Sequence, residues 1–99
     1  MSYPTSTDKE LIAAFSKLKD SKEITSFLRD LLTEAEIEEF SRRFQIAKLL
    51  WTTTLSYIDI AKKVGTSTTT VTRVSYWLYK ESWHGYQKPL EKMFGISKR

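Results

Sequence analysis

The sequence predicts an all-α fold of five to six helices, and three observations carry that prediction. Helix-capping residues recur ahead of apolar side chains spaced by three and four. The β-branched clusters at 52–54 and 66–72, which could otherwise suggest strands, are interrupted by caps and by helical spacing. No repeat, low-complexity tract or flexible linker divides the 99 residues, so the helices are expected to form one domain over 1–99.

Residues 1–6 are polar, contain Pro4 and show no apolar period, so a flexible N-terminus is expected. Thr7 and Glu10 have the spacing of a capping box, and Leu11, Ile12, Phe15 and Leu18 then recur at helical intervals. Ser21 is placed to cap a second helix with a wide stripe of Ile24, Phe27, Leu28, Leu31 and Leu32. Thr33 and Glu36 repeat the capping signature ahead of a third helix over 34–52. Its Ile37, Phe40, Phe44, Ala47, Leu50 and Trp51 follow the 3-4 pattern, while Ile46 and Leu49 widen the stripe beyond one face. A helix so broadly apolar is expected at the centre of a structure, packed by neighbours on several sides, a second subunit being one option among them. Glu34, Glu36, Glu38 and Glu39 crowd the first turns of that helix, where its dipole favours negative charge, and no other catalytic group accompanies them.

After the connection 52–55, residues 56–79 read as two short helices joined by a tight turn. Ser56 is placed to cap the first, with Asp59 three residues on, and Ile60, Ala61 and Val64 share one face. Gly65 follows the last periodic residue, where a left-handed backbone ends a helix at no steric cost. Ser67 restarts the chain as a new cap, and Val71, Val74 and Leu78 turn one face of the second helix inward. The other face carries Thr68, Thr69, Thr72, Arg73 and Tyr76. Short hydroxyls near a helix N-terminus let the backbone approach phosphate, and arginine offers the two-pronged donor that fits guanine. With Ser67, these residues form the predicted groove-facing set, and Lys62 and Lys63 before the turn are predicted flanking phosphate contacts. Residues 80–99 are expected to be a loop followed by a short helix. Pro89 suits the first turn of that helix, Leu90, Met93 and Phe94 give it an apolar face, Gly95 ends it, and 96–99 form a loose basic tail.

Charge is divided unevenly along the chain. Residues 1–41 hold five Lys or Arg against nine Asp or Glu, a local −4, whereas 42–99 hold eleven against three, a local +8. The basic excess thus accompanies the hairpin, as expected of a segment attracted to phosphate. There is no cysteine, hence no disulfide framework, thiolate metal site or cysteine nucleophile. The only histidine, His84, sits in a predicted loop without a metal-ligand partner, and no phosphate-binding glycine loop or nucleophile–base pair appears, so an enzyme is not expected. No apolar run reaches the length of a membrane span and the N-terminus lacks a signal pattern, which leaves a soluble, cytoplasmic protein as the expectation. Tyr76, Trp77, Tyr79, Trp83 and Tyr86 form a dense aromatic group that either packs beneath a loop or stacks on a flat ligand. The second option supports an alternative function, a small-molecule-sensing or protein-interaction module on a helix-turn-helix frame.

The stretch LLTEAEIEEFSRRFQIAKLLW followed by LSYIDIAKKVGTSTTTVTRVSYWL resembles the tryptophan repressor superfamily and, within it, the YerC/YecD branch. The resemblance covers roughly residues 24–80, through the leading LLT, Arg42 and Arg43, Ala61, Gly65 and the T-V-T-R of 70–73. It implies an intertwined all-α homodimer, with residues 7–52 as the dimerisation helices and hairpins that read double-stranded DNA, and so a transcriptional regulator, a repressor, on a near-palindromic operator. In the family's repressor member, free tryptophan binds between the long helix and the recognition helix. Thr33, Arg43 and Arg73 stand at positions that line that effector pocket. Where the family has a small glycine after the arginine, this chain has Val74, whose branched side chain would take up space near the ligand. Tryptophan is therefore not expected as a co-repressor and no cofactor is assigned. Arg43 and Arg73 would then serve as surface cations for phosphate.

Overall fold

The computed structural model describes residues 2–99, and Met1 lies outside them together with any expectation of its flexibility. Six helices follow one another: α1 (Ser6–Ser16), α2 (Ser21–Leu31), α3 (Glu34–Thr52), α4 (Tyr57–Val64), α5 (Thr68–Tyr79) and α6 (Gln87–Phe94). No strand occurs among the described residues. The chain divides into two compact units, one up to Ile37 and one from Glu38 to Arg99.

In the first unit, two caps differ from those expected. Thr5, not Thr7, begins α1: its hydroxyl accepts from the Asp8 N–H at 3.2 Å, and Asp8 Oδ2 accepts from the Thr5 N–H at 2.9 Å. Both threonines have a carboxylate three residues on, but the earlier pair lets the helix begin at Ser6, within the segment expected to be frayed. Asp20 rather than Ser21 caps α2, accepting from the Glu23 N–H at 3.0 Å, while the Glu23 carboxylate reaches back to the Lys19 N–H. A carboxylate at the N-cap also meets the positive end of the helix dipole. At the start of α3 the expected box forms, with Thr33 and Glu36 exchanging bonds of 2.9 and 3.1 Å. The backbone bond from Thr33, helped by its hydroxyl, holds the exposed Glu36 carboxyl below its ordinary pKa.

Phe15 and Phe27 meet edge to face with ring centroids 5.1 Å apart. No residue of α1 or α2 is buried. Leu11, Ile12, Phe15, Ile24 and Leu31 remain 39–46% exposed, so both apolar stripes are only partly covered by this chain.

The second unit has a closed core. Ile46, Ala47, Leu50 and Trp51 of α3 meet Ile60 and Ala61 of α4, Val71, Val74 and Leu78 of α5, and Leu90 of α6. Each large side chain taken fully out of water contributes about 1.5–3 kcal/mol, so this cluster supplies the main stabilisation of the unit. No polar or charged side chain is buried among the described residues. The segment after α6 is not a loose tail. It is bonded to α3, as the Lys98 N–H donates to the Trp51 carbonyl at 2.8 Å and the Trp51 indole donates to the Gly95 carbonyl at 2.7 Å.

Candidate nucleic-acid interface

The hairpin of α4 and α5 is built from the turn outward. The Ser56 hydroxyl accepts the Asp59 N–H at 3.1 Å and starts α4. Gly65 ends it in the left-handed region, at φ 79°, and the N–H groups of Gly65 and Thr66 both donate to the Ala61 carbonyl at 2.9 Å. A Cβ at Gly65 would meet nothing within 4 Å, so glycine is needed here for its backbone freedom and not for space. Gly65→Ala is accordingly expected to destabilise the protein by about 1 kcal/mol, measured by chemical denaturation.

Ser67 then caps α5, accepting from the Thr70 N–H at 3.2 Å and sharing a bond with the Thr70 hydroxyl at 3.0 Å. Inward, Val71, Val74 and Leu78 lie in the core with Ile60 and Ala61. The hydroxyls of Tyr57 and Ser75, 2.5 Å apart, bind the two helices directly. That bond is missed by apolar spacing, and its one trace in the sequence is a serine beside the buried positions of α5.

Outward, all eight residues predicted to face DNA are exposed: Lys62, Lys63, Ser67, Thr68, Thr69, Thr72, Arg73 and Tyr76. They are not equally free. Ser67 spends its oxygen on the cap, and Thr72 donates its hydroxyl to the Thr68 carbonyl at 2.9 Å, leaving its methyl group and a lone pair for a ligand. Thr69, Thr72, Arg73 and Tyr76 line a shallow open depression on this face. Both ion pairs among the described residues involve Glu39, so neither Lys62, Lys63 nor Arg73 is neutralised within the chain. An uncompensated cation beside hydroxyls and an aromatic ring has the donors and acceptors that phosphate and base edges require.

The residues at effector-pocket positions are divided between the two units. Thr33 belongs to the first unit, where its hydroxyl serves the α3 cap. Arg43, in the second, is half-buried and already engaged. Its guanidinium lies 5.5 Å from the Phe40 ring and 5.5 Å from the Trp77 ring, and its Nε is 3.4 Å from Glu39. It is not the free surface cation expected from the sequence. Burial raises the pKa of the Tyr86 phenol, and the charge of Arg43 offsets part of that rise. Val74 is fully buried in the core. The aromatic group divides likewise: Trp77 packs on Arg43, and Tyr79 stacks on Trp51 at 6.2 Å. Tyr76 and Trp83 stay 54% and 66% exposed. No cluster of potential metal ligands occurs among the described residues, and no helix is long and apolar enough to cross a membrane.

A capped hairpin that buries one face of its second helix and frees the other defines a helix-turn-helix protein, the class whose second helix meets duplex DNA. The chain belongs to the Trp repressor protein family, whose profile matches residues 7–94, and that family is one of DNA-binding regulators. A TrpR-like protein from Eubacterium eligens is 36% identical, with 96% of each chain covered and a TM-score of 0.82. A candidate Trp repressor from Staphylococcus aureus is 30% identical over 94% of this chain and 91% of its own, with a TM-score of 0.81. No curated protein sequence matches the chain.

Proposed function

We propose that this protein is a homodimeric, sequence-specific transcriptional regulator, a repressor, that binds a near-palindromic operator through α5. The observation that carries the reading is the outer face of α5, where Thr68, Thr69, Arg73 and Tyr76 are exposed over a helix whose other side is locked into the core. Dimerisation is supported by the stripes of α1 and α2, on which Leu11, Ile12, Phe15, Ile24 and Leu31 stay 39–46% exposed and no residue is buried. A two-fold dimer would set its recognition helices one DNA turn apart, about 34 Å.

Selection from random duplex DNA at moderate salt tests this reading. Enrichment of a two-fold symmetric motif, with affinity falling steeply as salt rises, is the expected result. Weak, salt-sensitive binding without a motif would leave only a non-specific surface and refute it. The exposure of Tyr76 and Trp83 favours a second reading, a sensor or interaction module, which tryptophan fluorescence shifting with a small ligand but not with duplex DNA would support.

Free tryptophan is not a ligand in this proposal. Arg43 is already stacked on the chain's own indole, Trp77, and paired with Glu39, and Val74 stands where the family has glycine. Calorimetry with the amino acid is expected to give no saturable heat. A micromolar isotherm at one site per subunit would overturn this part.

A further inference from the structure

Helix α3 ends at Thr52 with no basic residue in its last turn, although free carbonyls and the negative pole of the dipole gather there. The Leu49 carbonyl is served locally, by the N–H and hydroxyl of Thr53 at 3.1 and 2.5 Å. The next two carbonyls are served from the far end of the chain. Arg99 Nε donates to the Leu50 carbonyl at 2.7 Å, the Tyr79 hydroxyl donates to the same oxygen at 3.3 Å, and the Lys98 N–H donates to the Trp51 carbonyl at 2.8 Å. Through Nη2 the same guanidinium donates to the carbonyl of Leu55, the residue just before the α4 cap Ser56. One planar fork therefore joins the end of α3 to the start of α4. The segment that carries the fork is anchored as well, because the Ser97 hydroxyl lies 2.8 Å from that of Tyr79 at the end of α5 and accepts the Arg99 N–H at 3.2 Å.

We propose that Arg99 is a positioning residue for DNA binding, a helix cap supplied from the C-terminal segment that sets where α4, and with it the recognition helix α5, leaves α3. The DNA half of this inference rests on the function proposed above. Arg99 touches no base or phosphate in this role. Its effect is on the placement of the hairpin.

The test compares wild type with Arg99→Ala and Arg99→Lys in two measurements. In DNA binding, Arg99→Ala is expected to lower affinity for the selected duplex about tenfold, because a hairpin no longer fixed in place must be ordered on binding. Affinity for non-specific duplex and the slope of log affinity against log salt should not change. A slope shallower by about one would instead identify a lost phosphate contact and overturn the proposal. In native-state hydrogen exchange without DNA, the Ile60 and Ala61 amides of α4 should exchange faster while the Val74 and Leu78 amides of α5 keep their protection. Uniform acceleration of both sets would reduce Arg99 to general stability, and unchanged α4 amides would remove its role, so either overturns the proposal. Arg99→Lys keeps the charge but not the planar fork and should behave like alanine, whereas full rescue would refute the geometry. If wild type selects no duplex, the DNA reading fails by itself, and the exchange pattern still decides whether Arg99 holds α4.

Discussion

Leu78→Ala is expected to cost about 2–5 kcal/mol of stability, the largest effect predicted for any single substitution here. Leu78 is fully buried, and its cluster draws side chains from α3, α4, α5 and α6. With four helices fixing the walls, the space left by the missing methyl groups closes poorly, so a cavity term adds to the lost burial. The change should lower the melting temperature by about 8 °C or more for a domain of this size. Met93→Ala, at a side chain 61% exposed on α6, is the control and should stay within about 0.5 kcal/mol of wild type. Both are measured by denaturation at one protein concentration, because the stability of the proposed dimer would depend on it. A loss below 1 kcal/mol at Leu78 would mean that the core is looser than its burial implies.

Arg73→Ala should weaken binding to the selected operator by about 1–3 kcal/mol, the worth of one good base contact. Arg73 is the one arginine of α5, exposed at a depression it shares with Thr69, Thr72 and Tyr76. Neither ion pair among the described residues involves its guanidinium, so in the proposed complex DNA would gain the whole donor fork without first breaking an ion pair. If the contact is to a base, the loss should be greatest for the selected sequence. An equal loss on every duplex, with a shallower salt slope, would move Arg73 to the phosphate contacts. Unchanged affinity would remove it from the interface. The substitution should leave folding intact, since the Arg73 side chain packs in no core.

The hairpin was legible in the sequence because its signals are local. Ser56, Gly65 and Ser67 act within four residues of themselves, and the inward set Val71, Val74 and Leu78 follows from helical period alone. The same locality explains the misplaced starts of α1 and α2. Residues 5 and 7, or 20 and 21, offer nearly equal caps, and spacing cannot rank two acceptors only one or two positions apart. Arg43 shows the opposite limit. Its pairing with Glu39 lies at helical spacing, but its contact with Trp77 joins residues 34 positions apart and has no local trace.

From sequence alone follow the helical class, the bounds of α3, the capped turn and the basic excess beside the hairpin, since each depends on side chains a few positions apart. Only the tertiary structure decided which cations are free and which are committed. Arg73 and Arg99 are indistinguishable as charges and both are exposed, yet the first enters no ion pair among the described residues while the second caps α3 and reaches Leu55. The physical reason is that a guanidinium's role is set by the carbonyls, rings and carboxylates that folding brings to it. For Arg99 those are the carbonyls of Leu50 and Leu55, more than forty positions away along the chain.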